Sequence, residues 1–164
     1  MSKTLKRGAR VSSPDIELFR RPGFLVRRLH QIYVAIYLQN CERFGTTPVQ
    51  SSVMQVLFAR PGIDQVALAA AIGIDRTTAS AVISRLERRR ILKRTKDPID
   101  RRVRRAYLTA RGRSLLAKME YSIQAAHRQL LRPLPRRQRE VFVDRLFYLV
   151  QANNDQGRST LKIS

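Results

Sequence analysis

The segment Gln65–Glu87 constrains this chain more tightly than any other stretch. Gln65 to Ile72 is short and Ala-rich, Gly73 breaks it, and Asp75 supplies a capping carboxylate for a second helix running to about Arg89. Two helices this short, joined by a tight glycine turn, must cross steeply to hide their apolar sides. Leu68, Ala69, Ile72, Ile74, Ala79 and Val82 fall where such a crossing needs apolar or small side chains, and Ala69 is small where the second helix passes closest. The outward side of the second helix then carries Arg76, Thr77, Ser80, Ala81, Ser84 and Arg85, a short polar and basic face.

Helical periodicity frames this unit on both sides. From Pro22 to Phe44, apolar residues recur at Leu25, Leu29, Ile32 and Ile36 and at Tyr33 and Tyr37, until Gly45 stops the helix. Thr46 or Thr47 followed by Pro48 gives an N-cap and a first-turn proline for a helix that ends before Arg60, Pro61 and Gly62. Ile91–Lys96 and Arg104–Leu108 read as two short strands joined by the polar loop 97–103, a hairpin after which Thr109 caps the next helix. That helix runs from Ala110 to about Leu131, breaks at Pro133 and Pro135, and resumes from Arg136 to Gln151 with Val141, Phe142, Leu146, Leu149 and Val150 on its apolar side. The expected fold class is mainly α with a small β-hairpin.

Charge says what such a unit meets. Lys and Arg number 33 against 12 Asp and Glu in 164 residues, a formal net charge of +21, and a field of that sign attracts polyanions. Residues 75–113 alone hold 14 Lys or Arg against 4 Asp or Glu, so the charge is concentrated on the second helix and the hairpin. Double-stranded DNA is the expected partner. A helix of this width enters a major groove, where Arg bonds guanine bidentately, short hydroxyls reach phosphates or bases, and methyls touch thymine. At the hairpin tip Asp100 stands two residues before Arg102, a spacing at which its carboxylate can hold the guanidinium extended toward a minor groove, with Arg101, Arg104 and Arg105 beside phosphates.

Other classes lack their parts. There is no Gly-rich phosphate loop, only 2 histidines, and no nucleophile with its base, so neither an enzyme nor a metal or cofactor site is expected. Cys41 alone cannot form an internal disulfide, Met1–Val11 lacks the apolar core of a signal peptide, and no apolar run reaches membrane-spanning length. These features point to a cytoplasmic protein without a membrane partner. With no Trp and most aromatic residues at helical core spacing, the exposed stacking platform of single-strand or RNA binding is missing. A sequence-indifferent architectural protein is the alternative that charge alone permits.

Thr47 to Gly112, with TPVQ opening the second helix, VALAAAIGIDRTTASAVISRLERRRILKR through the crossing helices and DPIDRRVRRAYLTARG for hairpin and exit, resembles the MarR family of bacterial regulators. The resemblance implies a winged helix-turn-helix, a triangular homodimer built from the first helix and the last two, and a recognition helix offered to each half of a palindrome. It implies a repressor, here expected to be nucleoid-associated, whose DNA-binding residues are Arg76, Thr77, Thr78, Ser80, Ser84 and Arg85, with Arg102, steadied by Asp100, on the wing beside Arg101. It also implies release from DNA by a small ligand, often an aromatic acid. One departure stands out: relatives usually carry Gly where this chain has Arg90, and Gly there suits a left-handed C-cap.

A dimer is expected from the residues as well, because the first helix and the last two carry apolar faces that one reading lobe is too small to cover. For a ligand, Arg27, His30, Tyr33 and Tyr37 place cation, imidazole and phenols at helical spacing, a set suited to an aromatic acid or its CoA thioester. Cys41, one turn after Tyr37, is expected to be inert and buried, with a redox-sensing repressor as the alternative. The expected organisation is a disordered basic arm over 1–14, a dimerisation and effector helix over 15–46, a DNA-binding lobe over 47–109, dimerisation helices over 110–152 and a flexible tail over 153–164.

Overall fold

The computed structural model describes residues 17–157 and 159–161, and the expected arm over 1–14 lies outside them. Helix α1 spans Pro22–Cys41 and begins on a proline whose missing N–H costs nothing at that position. A 3-10 turn, Glu42–Phe44, continues it to Gly45, which sits at φ 60 in the left-handed region. Helix α2, Pro48–Ala59, opens with a capping box: Thr47 Oγ1 accepts the Gln50 N–H at 3.3 Å, and the Gln50 side chain accepts the Thr47 N–H at 3.2 Å.

Strand β1 is only Ile63–Asp64 and was not expected from the sequence. It pairs antiparallel with β3, Ile63 against Ala106 and Asp64 against Arg105. Two residues are too short to show an alternating pattern. Asp64 also caps α3, Gln65–Ile72, accepting the Val66 and Ala67 N–H groups at 2.8 Å each, so one residue ends a strand and starts a helix. After α4, Arg76–Arg88, the hairpin strands β2, Leu92–Lys96, and β3, Arg104–Leu108, complete a sheet of order β1-β3-β2. Helix α5 spans Ala110–Leu131 and helix α6 Arg136–Ala152. The fold is mainly α with a three-stranded sheet carrying the wing.

One core runs through both expected lobes. Tyr37 and Cys41 of α1, Val53, Met54 and Leu57 of α2, Leu68 of α3, Ile83 and Leu86 of α4, Leu92 and Leu108 of the sheet and Leu116, Met119 and Ile123 of α5 pack as one cluster. Each aliphatic side chain fully buried there contributes about 1.5–3 kcal/mol. The core therefore holds α1 and α5 against the reading helices within a single chain. Farther along, the Tyr33 ring stacks on His127 at 5.8 Å between centroids, and Asn40 donates to Gln129 at 3.0 Å.

Helix α6 is different, since none of its residues is buried within the chain. Of the apolar side expected for it, Phe142 and Leu146 are half-buried, while Val141, Leu149 and Val150 are exposed, with Val143, Phe147 and Tyr148 exposed beside them. Helix α1 adds exposed Leu25, Val26, Ile32 and Leu38. Within the stretch expected to be a flexible tail lie a 3-10 turn, Asn154–Gln156, and a closed contact. Asn154 Nδ2 donates to the Leu161 carbonyl at 2.7 Å and its Oδ1 accepts the Leu161 N–H at 2.8 Å, which sets the Leu161 side chain over Gly73.

Candidate nucleic-acid interface

Helices α3 and α4 bend by 107° about Gly73, whose φ of 66 is open to glycine without strain. Leu68, Ala69, Ala79 and Val82 are buried at the crossing, and Ile72 and Ile74 are half-buried. Asp75 fixes where α4 begins. One of its oxygens accepts the Thr78 N–H at 2.9 Å, and the other accepts the Thr78 hydroxyl at 2.6 Å. That hydroxyl, then the backbone N–H, hold the Asp75 carboxyl below its ordinary range, so negative charge stays at the helix N-terminus. With Ala79, Val82, Ile83 and Leu86 turned inward, Arg76, Thr77, Thr78, Ser80 and Arg85 are left exposed and Ser84 half-buried. The structure gathers all six on the outward side of one helix.

The far end of α4 bears the strain that Arg90 suggested. Arg90 lies at φ 57, its N–H donating to the Glu87 carbonyl at 2.8 Å while the Ile91 N–H donates to Leu86 at 2.9 Å. The left-handed C-cap thus forms on an arginine. Just before it, Arg89 donates to the Phe44 and Gly45 carbonyls at 2.9 and 2.5 Å, and Glu87 pairs with Arg94 of β2. Both ends of the helix and the root of the hairpin are therefore tied to their neighbours.

The wing is organised by a residue that the sequence reading passed over. Asp97 is 5% exposed; it accepts the Ile99 N–H at 2.8 Å and the Asp100 N–H at 2.9 Å, and it pairs with the Arg105 guanidinium. The Asp100 N–H, then Arg105, then the Ile99 N–H bring its carboxyl down to about 2. Asp100 does not hold the Arg102 guanidinium as expected. Its Oδ1 instead accepts the Arg102 backbone N–H at 2.9 Å, a two-residue turn contact that shapes the tip and leaves the guanidinium exposed. Arg105, expected beside phosphates, is occupied with Asp97 and with the Gly62 carbonyl at 3.0 Å. Arg101, Arg102 and Arg104 are exposed on the wing. The Asp-Pro step at the loop entrance is the signal that could have singled out Asp97.

The MarR family model matches residues 46–103, the α2 to wing segment just described. HosA from Escherichia coli O157:H7, a transcriptional regulator, is 33% identical over 97 residues, which is 59% of this chain and 72% of HosA. The chain belongs to the MarR family.

A shorter match, to HosA from E. coli O111:H-, is 39% identical over 71 residues and spans about half of that relative, 53%. Among solved MarR-like structures, BpsR from Bordetella bronchiseptica, whose DNA binding is regulated by 6-hydroxynicotinic acid, has TM-score 0.75 and 30% identity over 79% of this chain and 93% of BpsR. CouR bound to a 23-mer DNA duplex has TM-score 0.78 and 27% identity over 87% of this chain and 99% of CouR. CouR from Rhodococcus jostii RHA1 has also been solved with p-coumaroyl-CoA, at TM-score 0.70 and 25% identity over 82% of this chain and 92% of that one.

The effector set expected on α1 of this MarR-family chain divides. Tyr33 and Tyr37 lie 6.3 Å apart, and Tyr37 is fully buried with its hydroxyl 3.3 Å from Thr46 Oγ1. Burial raises both phenols above their ordinary range. Arg27 and His30 face solvent, Arg27 over the Phe24 ring at 5.4 Å. The Tyr33 hydroxyl meets His127 Nε2 at 3.3 Å, a partner 94 residues away that no local pattern announces. A cavity of about 370 Å³ lies elsewhere, between α2 and α5, lined by Gln55, Phe58, Arg113, Leu116, Ala117 and Glu120. Cys41 is fully buried, and desolvation pushes its thiol up, away from the reactive thiolate. Among the described residues, no group of three His, Cys, Asp or Glu is placed to hold a metal, and no single helix is long and apolar enough to cross a membrane.

Proposed function

We propose that this MarR-family regulator is a homodimeric repressor that reads a palindromic operator and leaves it when a small anionic aromatic ligand binds. The observation that carries this reading is the joint presentation of Arg76, Thr77, Thr78, Ser80, Ser84 and Arg85 on one side of α4, beside a wing tip exposing Arg101 and Arg102. Asp100 supports that tip by holding its backbone. A rigid polar helix suits a major groove and an extended guanidinium suits the narrow minor groove beside it. The DNA-bound CouR structure supports the same mode of engagement.

Burial supports the dimer. Six exposed apolar residues on α6 and four on α1 need cover, and a two-fold pairing supplies it while setting two recognition helices about 34–36 Å apart, one DNA turn.

For the ligand, the α2–α5 cavity fits an aromatic acid better than the α1 set Arg27, His30, Tyr33 and Tyr37. Phe58, Leu116 and Ala117 offer an apolar bed and Arg113 a guanidinium for a carboxylate, whereas Arg27 and His30 stand on the open side of α1. BpsR, responding to 6-hydroxynicotinic acid, and CouR, binding p-coumaroyl-CoA, support the ligand class.

The test is binding to DNA flanking the protein's own gene, at two salt concentrations with excess random competitor, repeated with aromatic acids and their CoA thioesters. Tight palindrome binding that a ligand abolishes is the expected result. Equal affinity for random DNA would replace this reading with the architectural one.

A further inference from the structure

We propose a second, separate ligand site: the recess formed by Arg43, Phe44, Arg89, Arg111, Ser114 and Lys118 binds the phosphate or diphosphate group of a soluble molecule. Three elements converge there, namely the corner after α1, the C-terminal cap of α4 and the first three turns of α5. The recess measures about 360 Å³, room for a diphosphate, and Ile91 and Leu115 give it an apolar floor.

Among the described residues, four cations line it and no carboxylate does. Like charges gathered in one concavity raise each other's energy, and an oxyanion removes that repulsion. Two of the four are already fixed in place. Arg89 is held by the Phe44 and Gly45 carbonyls, and the Arg43 guanidinium lies 4.7 Å from the Phe44 ring centroid with a bond to Ser122 Oγ at 3.4 Å. The other two, Arg111 and Lys118, make no hydrogen bond or ion pair with any described residue and stand on the same side of α5 as Ser114, at i, i+3 and i+7. Three guanidiniums, two of them held in position, with an ammonium and a hydroxyl suit a doubly charged tetrahedral oxyanion better than a planar carboxylate.

A DNA backbone phosphate is the other source of this chemistry. It fits less well, because the recess lies at the C-terminal end of α4, on the order of 20 Å along the helix from Arg76, while helices of this kind read bases with their N-terminal part. The site stands independently of the operator and aromatic-ligand reading.

Inorganic pyrophosphate is the probe, titrated into the full chain by calorimetry at constant ionic strength. The expected result is saturable binding of one pyrophosphate per chain, weakened about tenfold or more, 1.4 kcal/mol, by Arg111→Ala with Lys118→Ala, and unchanged by Arg76→Ala with Arg85→Ala. Both recess side chains are exposed and unbonded, so an unaltered melting temperature confirms that the first variant folds. Absence of saturable binding, or equal loss in the two double variants, overturns the proposal. So does a fall of about two in the salt slope of DNA binding for Arg111→Ala with Lys118→Ala, which would assign the recess to DNA phosphates.

Discussion

The Ile91 carbonyl oxygen lies against Gly112 so closely that a Cβ at position 112 would stand 2.0 Å from it. The same oxygen accepts the Thr109 N–H at 3.0 Å, and the Thr109 hydroxyl donates to the adjoining Arg90 carbonyl at 2.7 Å, so the exit of the recognition helix, the root of the wing and the start of α5 form one joint. Backbone has little room to retreat there. Gly112→Ala is expected to lose about 3 kcal/mol of stability through overpacking, read from urea unfolding. An unchanged midpoint would mean the joint yields freely.

Arg90→Gly should act in the opposite direction. Removing a Cβ from a left-handed residue relieves about 1–2 kcal/mol and the extra freedom of glycine returns about 0.5–1, leaving a net gain of about 0.5–1 kcal/mol. Thermal melting checks this, and a lower midpoint would show that the Arg90 side chain contributes more than its backbone strain costs.

The wing should be acid-sensitive in a defined window. The Asp97 carboxyl, with a folded value of about 2, stabilises the wing fully above the ordinary Asp range, near 3.9, and loses that contribution as pH falls toward 2. Protection of the Ile99 and Asp100 amides, taken relative to their intrinsic exchange rates, should fall between about pH 4 and 2. In Asp97→Asn, which cannot ionise or pair with Arg105, that pH dependence should vanish and the wing amides should exchange faster at neutral pH; a pH response identical to wild type would dismiss the role given to Asp97.

Arg85→Ala should weaken operator binding by about 1–3 kcal/mol and relax preference at one base pair if the guanidinium reads guanine. Competition assays against point-substituted operators measure both effects. Equal loss on every sequence would make Arg85 a phosphate contact instead.

Phe147 stands 49% exposed on a helix with nothing buried. Phe147→Asp should convert a dimer to monomer in sedimentation equilibrium, and the melting temperature of the unmodified chain should climb with protein concentration. A concentration-independent midpoint would remove the dimer.

What could be read from the sequence was what chemistry decides within a few residues. Thr47, Asp75 and Thr109 cap helices three residues onward, and Gly45 and Gly73 end them, so the helix order and the face from Arg76 to Arg85 were legible. What escaped depends on partners that meet only in three dimensions. Asp97 and Asp100 share one loop, and the choice between them is made by register: Lys96 opposes Arg104, which brings Arg105 back to Asp97. Likewise β1 exists because Ile63 meets Ala106, His127 finds Tyr33 across 94 residues, and Leu161 reaches Gly73.

The cap on the recognition helix also limits its vocabulary. A threonine hydroxyl has one proton to give, and Thr78 already gives it to Asp75 at 2.6 Å. What Thr78 keeps for any other neighbour is lone pairs. It can accept from the amino group of adenine or cytosine, and it has nothing to donate to guanine O6, thymine O4 or a phosphate oxygen while Asp75 remains ionised. An aspartate whose task is to start a helix thereby decides which base edges the third residue of that helix is able to prefer.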